Sequence, residues 1–314
     1  MRLRRRILFT AAAILVALFL TPSAQAVLAN RVFVSARSGN DANPCNNILT
    51  PCQTFAGAVL QLNPGGEAIV LDSGGYGPVT ITQAVTIEAP PGVLAFIHPP
   101  SGDAITINAG AGDTVILRGL TLNGGTGNGI TANTVGQLFV EHCTITSYGS
   151  NGIRFAAAGG TLFMRDDDVR GCGLSGLLVT SSGTAAHAVI RDSYFAGNYR
   201  GVWCSDNSYV AVTDSVAEGN IAYGLLSMPT GSTAYTFMTL DRVKAVSNGT
   251  GLYVSGPYSG PANLEFANCF VAHNSVGVDT NGYSLLQGST PATSLIVNNG
   301  SNNLGVLSAG VSLQ

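Results

Sequence analysis

The chain has 314 residues; 46% are hydrophobic, only 10% are charged, and 14 Lys and Arg face 17 Asp and Glu. Ordinary soluble domains carry about 25% charged residues. With a formal charge of −3 and Lys244 as the one lysine, there is no basic footprint for nucleic acid or for an anionic membrane surface.

Residues 1–6 hold four arginines, residues 7–20 are apolar, and residues 24–26 read Ala-Gln-Ala. A basic start, an apolar run too short for a comfortable span and a small-x-small site predict a signal peptide over residues 1–26. Cleavage after Ala26 implies export, to the periplasm, the cell surface or the medium, with no stable membrane span afterwards. Losing those four arginines takes the formal charge from −3 to −7.

Residues 31–36 alternate and read as a first strand. Cys45 and Cys52 lie seven residues apart in a Pro-rich loop, and in an exported chain they are expected to form a disulfide. Residues 53–62, with Phe55, Val59 and Leu62 on one face, predict a short helix stopped by Asn63-Pro64-Gly65-Gly66. Residues 67–72, 79–82 and 84–88 are short strands broken by Gly and Pro. The whole stretch 27–102 reads as a cap followed by first coils, because a solenoid end left bare exposes core and unpaired strand edges.

Over residues 103–281 one pattern recurs. Gly followed by an aliphatic residue opens each unit, at Gly129, Gly152, Gly176, Gly201, Gly224, Gly251 and Gly277. Between these points run two alternating strands separated by a polar kink, and several units close on Asn (Asn198, Asn220, Asn248, Asn274). Period-two alternation means strands; Gly and Asn are expected at turns with positive φ. A period of about two dozen residues with short strands predicts an all-β fold, a right-handed parallel β-helix in which each strand stacks on its equivalent. Three inward columns follow. They are Leu117, Val140, Met164, Ile190, Val212, Leu240, Phe266; Leu120, Cys143, Asp167, Ser193, Ser215, Val243, Cys269; and Leu122, Ile145, Val169, Phe195, Ala217, Ala245, Val271. Asp167 is the anomaly, an acid that must be hydrogen-bonded, protonated or turned outward. Cys143 and Cys269 share a column but stand five coils apart, about 24 Å, beyond disulfide reach. With Cys172 and Cys204 they are expected to be small packing residues. Residues 282–314 complete a last coil and a C-terminal cap.

The segment Val34-Ser35-x-x-Ser38-Gly39-Asn40-Asp41, the Pro-Cys pairs leading into Thr54-Phe55, and the Gly-rich stretch around Tyr76 resemble the opening of exported bacterial β-helix repeat proteins of the pectin-lyase-like superfamily. That resemblance spans the mature chain and implies the same fold. It implies no single activity, since the superfamily includes polysaccharide lyases, hydrolases and epimerases beside proteins with no assigned activity. The Gly-His-Gly and Arg-Ile-Lys elements of polygalacturonases and the Asp-Pro-His of alginate epimerases are absent.

Chemistry has to sit on the outward faces. One stripe runs Thr131, Arg154, Leu178, Trp203, Leu226, Tyr253, Asp279. Arg154, Trp203 and Tyr253 are its candidate ligand-binding residues, for sugar rings and a uronate carboxylate. A covering loop or an oligomer contact through Leu178, Trp203 and Leu226 accounts for the same residues. The second stripe is charged and centres on Arg165, Asp166, Asp168, Arg191 and Asp192, the candidate catalytic set. Glycosidases need two carboxylates at defined separation, and a lyase needs a base beside a cation. Repeated Asp at a bend also caps turns without any catalysis. Scattered histidines give no metal site, and no cofactor is expected. The leading expectation is a non-catalytic exported protein that binds an extracellular glycan or serves as a surface scaffold. Cleavage of an acidic polysaccharide by a lyase or hydrolase mechanism, and oligomerisation, are the alternatives.

Overall fold

A computed structural model describes residues 28–231, 234–256, 261–282, 284–288, 294–303, 307–308 and 312–313; the predicted signal peptide lies outside them. The repeat winds as a right-handed parallel β-helix with three sheets, of 12, 11 and 10 described strands. We call these sheets I, II and III. In a middle coil they are represented by Thr161–Arg165, Asp168–Arg170 and Ser175–Val179. Each strand pairs in parallel with its equivalent one coil away, Val140 with Met164, Met164 with Ile190 and Val212 with Leu240. All three predicted inward columns are buried from end to end, so alternation and period together fixed which side chains make the core.

The N-terminal cap departs from expectation in its boundaries. A first strand covers Ala29–Val34 and a helix, α1, covers only Phe55–Leu60. Asn63 to Gly66 do not form a free break but lie within the strand Leu62–Val70. There the register to the first strand shifts and Gly65 takes φ 83°, so the Pro-Gly-Gly run is absorbed as a bulge. The disulfide Cys45–Cys52 forms, with Cα atoms 5.1 Å apart. The opening motif turns out to be a clasp. Asp41 accepts from the backbone N–H groups of Gln53 (2.7 Å) and Thr54 (2.9 Å), while the Thr54 hydroxyl accepts from Gly57 N–H at the start of α1. Asp72 in turn accepts from the Ser35 hydroxyl (2.6 Å), Ala36 N–H and the buried Tyr76 hydroxyl (2.7 Å).

The glycines of the repeat need a different explanation from positive φ. None of the seven lies in the left-handed region. They are small because coils approach closely there: a Cβ at Gly201 would fall 2.4 Å from the carbonyl oxygen of Gly224, and one at Gly251 would fall 2.6 Å from that of Gly277. Beside them runs a buried asparagine ladder. Asn248 Oδ1 accepts from Asn220 N–H and from Asn220 Nδ2, both at 2.9 Å, while Asn248 Nδ2 donates to Ala217 O and to Asn274 Oδ1. The same pattern links Asn198 to Asn220 and Asn274 to Asn299. Each amide is thus satisfied inside the core.

Positive φ belongs instead to the corners: Gly171, Gly197, Gly219, Ser247 and His273 take φ of 57–68° where sheet II passes to sheet III, and a second column takes it between sheets I and II. Gly119, His142, Asp166, Asp192, Asp214, Arg242 and Asn268 stack there with φ of 50–69°. Asp and Asn tolerate that region best among residues with a side chain. The corner between sheets I and II is two residues long in six successive coils, from Glu141–Thr144 to Ala267–Phe270, whereas the passage from sheet III back to sheet I varies. Three residues separate Cys204 from Ser208, and eight separate Ser227 from Thr236.

Candidate functional site

Parallel stacking turns the outer face of sheet I into columns. The first runs Ile116, Phe139, Phe163, Val189, Ala211, Thr239; the second runs Glu88, Arg118, Glu141, Arg165, Arg191, Thr213, Asp241. The Phe139 and Phe163 rings stack at 4.7 Å. A cavity of about 220 Å³ lies between the two columns, lined by Phe139, Phe163 and Val189 on one side and Glu141, Arg165 and Arg191 on the other. A further cavity of about 490 Å³ opens below it beneath the Pro90–Pro91 loop, with Arg118 and His142 in its wall.

Charges in the second column alternate and pair. Arg118 meets Glu88 at 3.2 Å and Glu141 at 2.7 Å, and Arg165 meets the other oxygen of Glu141 at 2.9 Å. Hydrogen bonding to Glu141 holds the Arg118 guanidinium above its ordinary pKa. Arg191 stands in register with Arg165 and is exposed.

The predicted catalytic residues lie on and beside this corner, and three of them are engaged with side chains outside the set: Arg165 with Glu141, Asp166 with His142 and Asp168 with Arg170. His142 Nδ1 lies 2.8 Å from Asp166 Oδ2, and Arg170 Nε donates to Asp168 at 2.8 Å. Asp167 resolves as the hydrogen-bonded case: buried, it accepts from Cys143 N–H (2.8 Å) and Arg165 N–H (3.0 Å), and burial still pushes its carboxyl well above the usual range. Asp192 is exposed at the left-handed corner. Among the described residues no three His, Cys, Asp or Glu side chains converge to hold a metal ion. The thiols of Cys143, Cys172, Cys204 and Cys269 are free and buried, and burial raises those of Cys172 and Cys269 to about 11.

The other stripe, on sheet III, is in register as expected, with Arg154, Leu178, Trp203, Leu226 and Tyr253 on successive coils. It is not an open apolar strip. Leu226 is fully buried, and Thr131 is buried by bonds to Asp103 and Asn128. The Trp203 indole N–H donates to Met228 O at 2.9 Å, and the Arg200 guanidinium covers its ring at 4.5 Å. Arg154 reaches Asn133. Alternation gave the direction of these side chains but not what lies over them. It was equally silent about Phe139 and Phe163, whose outward placement between inward neighbours was the available signal.

Residues 96–238 match the family described as right handed beta helix region. Pectate lyase Pel9A is similar in structure with a TM-score of 0.66, at 13% identity over 92% of this chain and 78% of its own. Alginate lyase from Paenibacillus sp. str. FPU-7 is similar with a TM-score of 0.67, at 15% identity over 90% of this chain and 100% of its own. No curated protein sequence matches the chain. At such identities the likeness is one of fold. The chain has the fold of a right-handed parallel β-helix, and none of its described helices is long and apolar enough to cross a membrane.

Proposed function

We propose that this β-helix is an exported protein that binds a polysaccharide along the outer face of sheet I and does not cleave it. The observation that carries this reading is the cavity between the Phe139–Phe163 stack and the Glu141–Arg165–Arg191 column. An apolar wall facing a row of charged hydrogen-bonding groups is what a sugar chain needs, with C–H faces on one side and hydroxyls on the other. A rigid parallel sheet holds both without ordering cost on binding. The Cys45–Cys52 disulfide accords with an oxidising compartment.

Binding without turnover is supported by the state of the acids. Glu141 lies between two guanidiniums, Asp166 beside His142, Asp168 against Arg170, and Asp167 supports the backbone of its corner. Cleavage is the second reading, and the His142–Asp166 pair favours it, since a carboxylate at Nδ1 orients an imidazole as a base.

The test is affinity electrophoresis on acidic and neutral extracellular polysaccharides, run beside an assay for new reducing ends and for unsaturated products. Retention by at least one polymer, reduced at least tenfold by Phe163→Ser and without product, is expected. Turnover lost in Asp168→Asn and Asp192→Asn, or in His142→Gln, overturns the non-catalytic reading. Absence of retention overturns the binding one.

A further inference from the structure

Both columns that flank the cavity change character at the same coil. The aromatic stack ends at Phe163, whose register neighbour on the next coil is the shorter Val189, so one ring face is met by a small side chain instead of a third ring. On the far side of Val189 the rings of His187 and Tyr209 stack at 5.0 Å. In the charged column the alternation Glu88, Arg118, Glu141, Arg165 fails one step later: an acid would continue it, and Arg191 stands there instead. Arg191 makes no ion pair among the described residues. The carboxylate it influences, Asp214, is already held by Arg242 through bonds of 2.6 and 2.8 Å. Beyond Arg191 stand Asp192 and Asp214 on the corner and Asp241 further up the column, the last two both held by Arg242.

We infer that the groove selects a polysaccharide with isolated acid groups separated by neutral sugars, seating one acidic ring over Val189 against Phe163 with its oxyanion on Arg191. This rests on the binding reading above and names the ligand class for that same groove. A chain running along the axis passes one coil about every 4.8 Å, close to the length of a pyranose residue. A polymer charged at every residue meets one free cation among the described residues here: its neighbouring anions fall on Arg118 and Arg165, already held by Glu141, on one side and on Asp192 and the Asp214–Arg242–Asp241 cluster on the other, so they lose hydration without gaining a partner and Asp192 repels them. A neutral polymer offers Arg191 hydroxyls but no ion pair. One anion at Arg191 meets a fork that suits a carboxylate or a sulfate ester equally.

Titration calorimetry with four polymers tests this. They are hyaluronan (a carboxylate on every second sugar), κ-carrageenan (a sulfate on every second sugar), polygalacturonate (a carboxylate on every sugar) and neutral galactan. At least one of the first two is expected to bind tenfold or more tightly than both polygalacturonate and galactan, and Arg191→Gln is expected to erase that margin while leaving the melting temperature unchanged. Which of the two binds tells carboxylate from sulfate. Polygalacturonate binding as tightly as the sparse polymers, or a margin that survives Arg191→Gln, overturns the selectivity while leaving glycan binding standing. Failure of all four polymers to bind, together with no retention of any glycan by electrophoresis, removes both.

Discussion

Gly201 and Gly224 face each other across adjacent coils so closely that no side chain fits between them: a Cβ on Gly201 would sit 2.4 Å from the Gly224 carbonyl oxygen. That contact is backbone against backbone, so no side chain can rotate away to relieve it. Gly201→Ala is therefore expected to cost about 2–3 kcal/mol. Urea unfolding checks this, and an unchanged midpoint would show that the coils can spread.

The asparagine ladder predicts a larger effect. Asn248→Ala leaves the backbone N–H of Asn220 without its acceptor in the core, takes one of two acceptors from the Asn220 side-chain amide, which keeps Phe195 O, and removes the Asn248 donor from the Ala217 carbonyl. The expected loss is roughly 3–5 kcal/mol. Because coils are coupled to their neighbours, hydrogen exchange should quicken first around residues 217–224 and 245–252. Uniform exchange along the whole rod would contradict that.

Asp167 makes stability depend on pH. Burial raises its carboxyl above the unfolded value of about 3.9. The native state then holds a proton that the unfolded state has released, so this group's contribution falls as pH rises from about 4 to the folded value and is level beyond it. Serine fills the equivalent slot two coils running, where Ser193 and Ser215 accept a backbone N–H. Asp167→Ser should gain in melting temperature relative to the wild type as pH climbs from about 4 towards neutrality. Parallel melting curves for the two proteins across pH 3.5–8 would count against it.

Asp192 holds φ 50° at an exposed corner. Glycine pays no steric penalty there, as Gly119 shows in the same column at φ 69°. Asp192→Gly is expected to stabilise the fold by about 0.5–1 kcal/mol. Thermal melts read this directly; destabilisation would mean the carboxylate supports its coil.

The inward half of this molecule was legible from sequence because a period-two pattern repeated every two dozen residues admits one packing. Val140, Met164, Ile190 and Val212 could be aligned by eye, and they are buried in register. The outward half was legible only in direction. Leu226 points away from the core as expected, yet it is buried from outside, beside a Trp203 whose indole is tied to Met228 and stacked under Arg200. Met228 belongs to a variable passage whose path no periodicity encodes, and the reach of Arg200 from its own strand is a matter of side-chain packing. The role of the repeat glycines was hidden for a related reason. A residue's smallness shows in sequence, but whether torsion or crowding demands it depends on a neighbour one coil away.

The unequal corners of each coil have a practical meaning. The two-residue corner between sheets I and II locks the pitch of the rod, while the passage between Ser227 and Thr236 already accommodates added length without disturbing strand pairing on either side. Foreign peptides spliced into that passage would be displayed on a stiff backbone at a known height, and several such grafts on chosen coils would stand at spacings set in advance by the winding.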